Sequence, residues 1–190
     1  MPKGINIIFV IIIDIVPKDR YVSYIKPVAN IRPNKSEVNQ LRMTIGGEKL
    51  DYPGVTSTVV VLLTTTKIYL NSVISTPDAR YLTEDIHNFY YGTPLDHYKY
   101  LRVQLSQVPE AIIQQYNPRN LAHDGWVYIE VRKGMAGLKQ ARKVANNYLT
   151  KHLAVYGYTP VPRTPVLWKY HTISTAFKLC IDDFGVKYCS

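Results

Sequence analysis

Cysteine is almost missing from this chain: the only two, Cys180 and Cys189, fall in a candidate last strand and at the far end. That excludes a disulfide framework and the paired spacing of a zinc site. The histidines (His87, His97, His123, His152 and His171) are scattered at no ligand spacing, so no metal centre built on nitrogen or sulfur is expected. A membrane-length apolar run is missing too. Ile5 to Val16 is strongly apolar, but Asn6 and Asp14 interrupt it, and it falls short of the ~20 residues a spanning helix needs. Lys3 ahead of this run raises the question of a leader peptide. No small-residue cleavage site is present and Pro17-Lys18-Asp19-Arg20 follows, so a buried strand and no membrane partner are expected. Gly46-Gly47 and Pro53-Gly54 lack Walker spacing and read as turns. No internal repeat or low-complexity tract is visible.

Acidic side chains are also scarce. There are 14 of them against 23 lysines and arginines, for a net charge of +9, and 12% of residues are aromatic. A basic, aromatic surface suits polyanions, because neutralised phosphates release counterions and rings stack on bases. With 190 residues and 46% hydrophobic content the chain is long and apolar enough to bury a real core.

Periodicity supplies the elements. Tyr21 to Arg32 reads as extended, confined by Pro27 and Pro33 to an edge strand or loop, with Lys26, Arg32 and Lys35 giving it a basic face. From Leu62 to Ile74 the apolar positions Leu62, Leu63, Tyr69, Leu70, Val73 and Ile74 are consistent with one helical stripe, closed by Pro77. Ala79 to Asp85 reads as a strand, followed by the aromatic run Phe89-Tyr90-Tyr91. Tyr98 to Leu105 and Trp126 to Arg132 alternate like strands, with a proline-opened helix at Pro109 to Tyr116 between them. The clearest helix has Leu138, Ala141, Ala145, Tyr148, Leu149, His152, Leu153 and Tyr156 on one face, lysines and arginines on the other, and Gly157 as its stop. The fold class expected is α+β, an antiparallel sheet with helices packed on one face.

The last fifteen residues carry the chemistry. Ala176 to Ile181 alternates, Asp182-Asp183 follows, and Gly185 to Tyr188 leads back, which predicts a β-hairpin with two carboxylates at its tip. Two such charges repel by roughly 4 kcal/mol at about 4 Å in an effective dielectric near 20, so a fold that gathers them calls for a cation. Magnesium suits an oxygen-only donor set completed by substrate phosphates. Asp85, at the end of its own strand, is the candidate third carboxylate.

Several blocks in this order resemble the fingers and palm of the reverse transcriptase of copia-like LTR retrotransposons. They are Leu41-Arg42-Met43-Thr44-Ile45-Gly46-Gly47 with Asp51-Tyr52-Pro53-Gly54, Asn71-Ser72-Val73-Ile74-Ser75-Thr76-Pro77, and Asp85-Ile86-His87-Asn88-Phe89-Tyr90. Lys133-Gly134-Met135 with Gly137-Leu138-Lys139-Gln140-Ala141, and Ile181-Asp182-Asp183-Phe184-Gly185-Val186-Lys187-Tyr188, complete the set. The resemblance runs from about Val16 to Tyr188. Departures from the family pattern include Asn30, Ala136 and Arg142.

The resemblance implies an RNA-directed DNA polymerase, a nucleotidyltransferase adding dNTPs to an RNA or DNA template-primer. Asp85, Asp182 and Asp183 would be the catalytic residues, holding two Mg2+ ions, with Mn2+ as a substitute. Tyr90 matches the aromatic gate against a ribose 2′-hydroxyl and Gln140 the glutamine near the incoming sugar. Lys26 stands where the family has a triphosphate-binding arginine, and Arg32 matches an arginine that orders the fingers. One truncated domain is expected over residues 1–190, with 1–78 mainly fingers and 79–190 mainly palm. Thumb, connection and RNase H would be absent, and the module would originally belong to a larger polyprotein acting in cytoplasm or nucleus. Glu84, pointing opposite to Asp85, is expected to be buried at a cost or protonated. The alternative reading is a catalytically inactive retroelement remnant that at most binds nucleic acid through its basic surface.

Overall fold

The structure, a computed structural model, describes residues 7–34, 38–58, 61–172 and 175–189, with the side chain of Leu41 left aside. Lys35 lies outside the described residues. The strands are β1 (Ile8–Ile11), β2 (Val22–Ile31), β3 (Asn39–Ile45), β4 (Ala79–Asp85), β5 (Pro94–Gln104), β6 (Trp126–Lys133), β7 (Tyr158–Val161), β8 (Thr164–Tyr170), β9 (Ala176–Cys180) and β10 (Asp183–Cys189). The helices are α1 (Leu63–Ile74), α2 (Glu110–Tyr116) and α3 (Ala141–Val155). This is a mixed α+β fold.

Two compact units share the chain. Unit 1 is Met1–Thr56 with Tyr90–Ala141, and unit 2 is Ser57–Phe89 with Arg142–Ser190. Each unit draws on two separate stretches of the chain.

Unit 1 is a five-stranded sheet in the order β1-β6-β5-β2-β3. It is mixed rather than wholly antiparallel, since β2 runs parallel to β5 over Val22 to Tyr24. Central β6 is buried on both faces. Val127, Ile129 and Val131 point one way, into a core shared with Ile25, Leu101, Val103, Met135 and Leu138, while Tyr128 joins Ile11 and Tyr100 on the other face. β2 tolerates Pro27 for a positional reason. Beyond Tyr24 it pairs only with β3, so the missing N–H falls on a strand edge. The apolar start of the chain yields only the short β1, where Ile11 is buried but Ile8, Ile12 and Ile15 are exposed.

Two glycines in unit 1 are fixed by close approach. A Cβ on Gly47 would strike the carbonyl oxygen of Gly137, and one on Gly137 the backbone of Ile45. Gly137 also has φ of 94°, which side chains rarely tolerate. The Ile45 N–H donates to the Ala136 carbonyl at 2.9 Å, sewing this loop to the end of β3.

Unit 2 is an antiparallel sheet in the order β4-β10-β9-β8-β7. Helices occupy both of its faces, not one as expected. Leu149 and Leu153 of α3 pack on Trp168, Phe177 and Leu179, with Phe184 and Val186 beside them. α1 meets the opposite face, where Tyr69 lies edge-on to Tyr81 with ring centroids 6.3 Å apart. Cross-strand pairing puts Tyr81 beside Lys187, one residue out of phase with Val186, and neighbours in a strand point oppositely. Only Tyr69 of α1 is buried; Leu63, Leu70 and Ile74 face outward.

Candidate active site

The β9–β10 hairpin turns through Ile181 and Asp182, because Asp183 already pairs with Cys180. Ile181 adopts φ of 66°. A β-branched residue in the left-handed region is strained, commonly by about 1–3 kcal/mol, and such strain concentrates at functional sites. On the other side of β10, Asp183 is the register partner of Asp85. The Ile86 N–H then donates to the Asp182 carbonyl at 3.0 Å, carrying the pairing around the tip. Two strands distant in sequence therefore bring Asp85 beside the Asp182-Asp183 turn.

The electrostatics reflect this gathering. Burial pushes the Asp182 carboxyl above the ordinary aspartate range, and the charges of Asp183 and Asp85 add to that, opposed by its own backbone N–H and by Arg142. Asp85 and Asp183 are exposed. Among the described residues no three His, Cys, Asp or Glu side chains are drawn close enough to enclose an ion. The donor chemistry nevertheless fits magnesium. The set is all oxygen, and a divalent cation would relieve the repulsion that Asp182 feels from its two neighbours.

Below the tip, on the face shared by Asp85 and Asp183, lies a cavity of 320 Å³ bounded by Tyr81, Thr83, Lys178 and Gly185 as well as the two acids. Lys178, Gly185 and Thr83 form one cross-strand row. At Gly185 the Tyr81 phenol occupies the space a Cβ would take.

At the far end of this face the sheet is tied to α1. The Tyr69 hydroxyl donates to the Ala176 carbonyl at 2.7 Å and accepts from the Lys187 N–H at 2.8 Å. Ala176 and Lys187 are register partners, so the phenol stands between the two strands that carry the turn. Burial pushes Tyr69 up to about 12. Lys187 Nζ donates at 2.8 Å to both the Ser72 carbonyl and the Thr76 hydroxyl, placing a cation on the negative end of α1. Neither residue has this role in the sequence reading: Tyr69 stands there in the apolar stripe of α1, and Lys187 in the returning strand of the hairpin.

Glu84 corrects an expectation. It is exposed rather than buried, because β4 is the edge of its sheet and the burial at its level goes to Phe184 on β10.

The residues expected to contact nucleotide all belong to unit 1. Gln140 is only 3% exposed, at the end of the Gly134–Gln140 loop. Tyr90 packs against the core that contains Met135 and Leu138, and its carbonyl sits where a Cβ on Gly134 would go. Lys26 is exposed on β2 opposite Thr44. Arg32 is half-buried just past the end of β2, its N–H donating to the Val38 carbonyl at 2.7 Å. The carboxylates belong to unit 2, where Asp85 and Asp183 are register partners beside Asp182.

Against known proteins, no family model, curated protein or solved structure matches this chain. No helix among the described residues is long and apolar enough to cross a membrane.

Proposed function

We propose that the chain is the fingers-and-palm portion of an RNA-directed DNA polymerase of the copia-like retrotransposon kind. The observation that carries this reading is the register of β4 against β10, which sets Asp85 across from Asp183 at a strained turn that also presents Asp182. Carboxylates from separate strands, meeting at one tip of an antiparallel sheet, are what phosphoryl transfer with divalent cations requires.

Asp85, Asp182 and Asp183 would hold the magnesium ions, or manganese in their place. The chemistry supplied by the bound metal is lowering of a primer hydroxyl's pKa and neutralisation of charge on the leaving pyrophosphate. The chain's own groups do the rest. The Ile181 turn and the β4–β10 ladder fix the carboxylates, while Tyr69 and Lys187 hold β10 to α1. In this reading Tyr90 screens the sugar, Gln140 positions it, Lys26 offers a point charge to phosphates and Arg32 orders its end of β2.

The test is extension of a primed RNA template with dNTPs and magnesium. The parent chain should incorporate nucleotide, and Asp182→Asn should lose at least about a hundredfold in rate, in line with removal of a metal-binding charge. Equal extension by both proteins would reject the polymerase reading. Salt-sensitive binding with no incorporation in magnesium or manganese would favour the inactive remnant, a reading supported by the exposed lysines and arginines of unit 1.

A further inference from the structure

One face of the unit 1 sheet is rich in rings and cations. Phe9, Tyr24, Tyr98, Tyr100, Trp126 and Tyr128 share it, and two arginines lie over rings: Arg132 over Phe9 at 4.0 Å and Arg102 over Trp126 at 4.5 Å. Ile13 and Val16 pack over its middle, on Tyr100 and Tyr128. Toward β2 it opens into a groove of 290 Å³ lined by Tyr24, Lys26, Arg102, Gln104, Gln107 and Trp126.

We propose that this groove is a binding site for a single-stranded polynucleotide, with a base stacked on the Arg102–Trp126 pair and the backbone following Lys26 and Arg42. The volume is near the lower end for small-ligand pockets, enough for about one nucleoside unit. Trp126 is held in place by a two-residue Asp124-Gly125 turn with positive φ at both positions, closed by reciprocal 2.9 Å bonds between His123 and Trp126. Such a fixed ring is a stacking platform that loses little entropy on binding. Lys26 and Arg42 lie diagonally on the same face of the β2–β3 ladder, and both are exposed. Neither they nor Arg102 is paired with a carboxylate among the described residues. Of the carboxylates on or beside this face, Glu48 is engaged by the Tyr24 hydroxyl and Glu130 by Arg132. Cations continue outward from the ring pair across β5, β2 and β3, so the ligand is an extended chain of phosphates rather than a lone nucleotide.

The groove lies wholly within unit 1 and uses none of the carboxylates; it shares only Lys26 with the polymerase reading, and binding there needs neither metal nor dNTP. It is tested by titrating the full chain with a fluorescein-labelled dodecamer of deoxythymidine or uridine, in EDTA and without dNTPs. Fluorescence is a local probe, because the second tryptophan, Trp168, is 3% exposed and sits in the other unit. Binding should quench the tryptophan emission, and Trp126→Phe should abolish that quench. Arg102→Ala should weaken binding about tenfold, and Arg102→Lys should recover only part of it, because the charge returns without the stack. Lys26→Ala should lower the slope of log affinity against log salt by about 0.7. With neither metal nor dNTP present, this binding is read whether or not the chain extends primers. Lys26 and Arg102 are exposed and Trp126 is half-buried, and an unchanged circular dichroism spectrum shows that each variant is folded. Parent-like binding by Arg102→Ala, an unquenched Trp126, or equal competition by polyglutamate of matched charge would overturn the proposal.

Discussion

Replacing Tyr69 by phenylalanine keeps the ring against Tyr81 and removes one oxygen. That oxygen makes two hydrogen bonds, to the Ala176 carbonyl and from the Lys187 N–H. Each is worth about 1 kcal/mol net, within a range of about 0.5–1.5, so the loss lies between about 1 and 3 kcal/mol. The lower figure applies if β9 and β10 close up and the two backbone groups find each other, as register partners can. The upper figure applies if the phenylalanine ring keeps them apart. For a chain of this size about 2 kcal/mol corresponds to a fall of about 4–8 °C in Tm, read by circular dichroism. The same hydroxyl gives a pH signature. In the unfolded chain a tyrosine ionises near pH 10, whereas Tyr69 is held at about 12. Between those values only the unfolded state releases this proton, so stability falls as pH rises, and the parent should lose its advantage over Tyr69→Phe across that window. Equal Tm values at pH 8, or parallel curves from pH 10 to 12, would refute the account of Tyr69 as the tie between α1 and the hairpin.

Asp182→Asn in metal-free buffer should stabilise the chain at pH 7. The raised pKa means that ionised Asp182 is disfavoured in the folded state, a penalty that develops as pH rises from the ordinary aspartate value to the raised one and then stays constant. Denaturant midpoints of variant and parent should converge toward pH 3, and a less stable variant at neutral pH would contradict this. Gly137→Ala should cost about 3 kcal/mol or more, combining positive φ with a backbone collision that no side chain can relieve, and should appear as loss of soluble folded protein. Arg132→Ala should cost about 2–3 kcal/mol in chemical denaturation, because Arg132 Nε lies 2.6 Å from Glu130, a carboxylate that is 6% exposed and would lose its cation. Arg132→Ala,Glu130→Gln should recover part of that loss.

Much of the fold was legible because it follows periodicity. Alternation located β4, β6 and β9, and the run from Leu138 with its glycine stop located α3, which ends before Gly157 at φ of 82°. The stripe of α1 misled, because the helix is held to its sheet largely by polar bonds from Tyr69 and Lys187 while Leu63 and Ile74 stay in water. Hydrophobic periodicity cannot register such an attachment. Glu84 was misjudged for a related reason: alternation tells which way a side chain points, not whether anything covers that face. The Asp182-Asp183 turn could be read from local sequence, and Asp85 could be suggested, but the β4–β10 register is a long-range fact. The Gly47–Gly137 contact is also long-range, and the groove around Trp126 is assembled from three strands with no shared motif.

The chain passes between units after Thr56, Phe89 and Ala141, and this has a consequence for synthesis on the ribosome. β4 emerges early with no neighbour of its own sheet, and its ladder partner among the described residues, β10, follows only after unit 1 and the rest of this sheet. Asp85 must wait through the completion of unit 1 before Asp183 arrives, so the acidic tip forms after unit 1 is made. A nascent chain stalled before residue 183 would leave β4 unpaired and open to association with other chains.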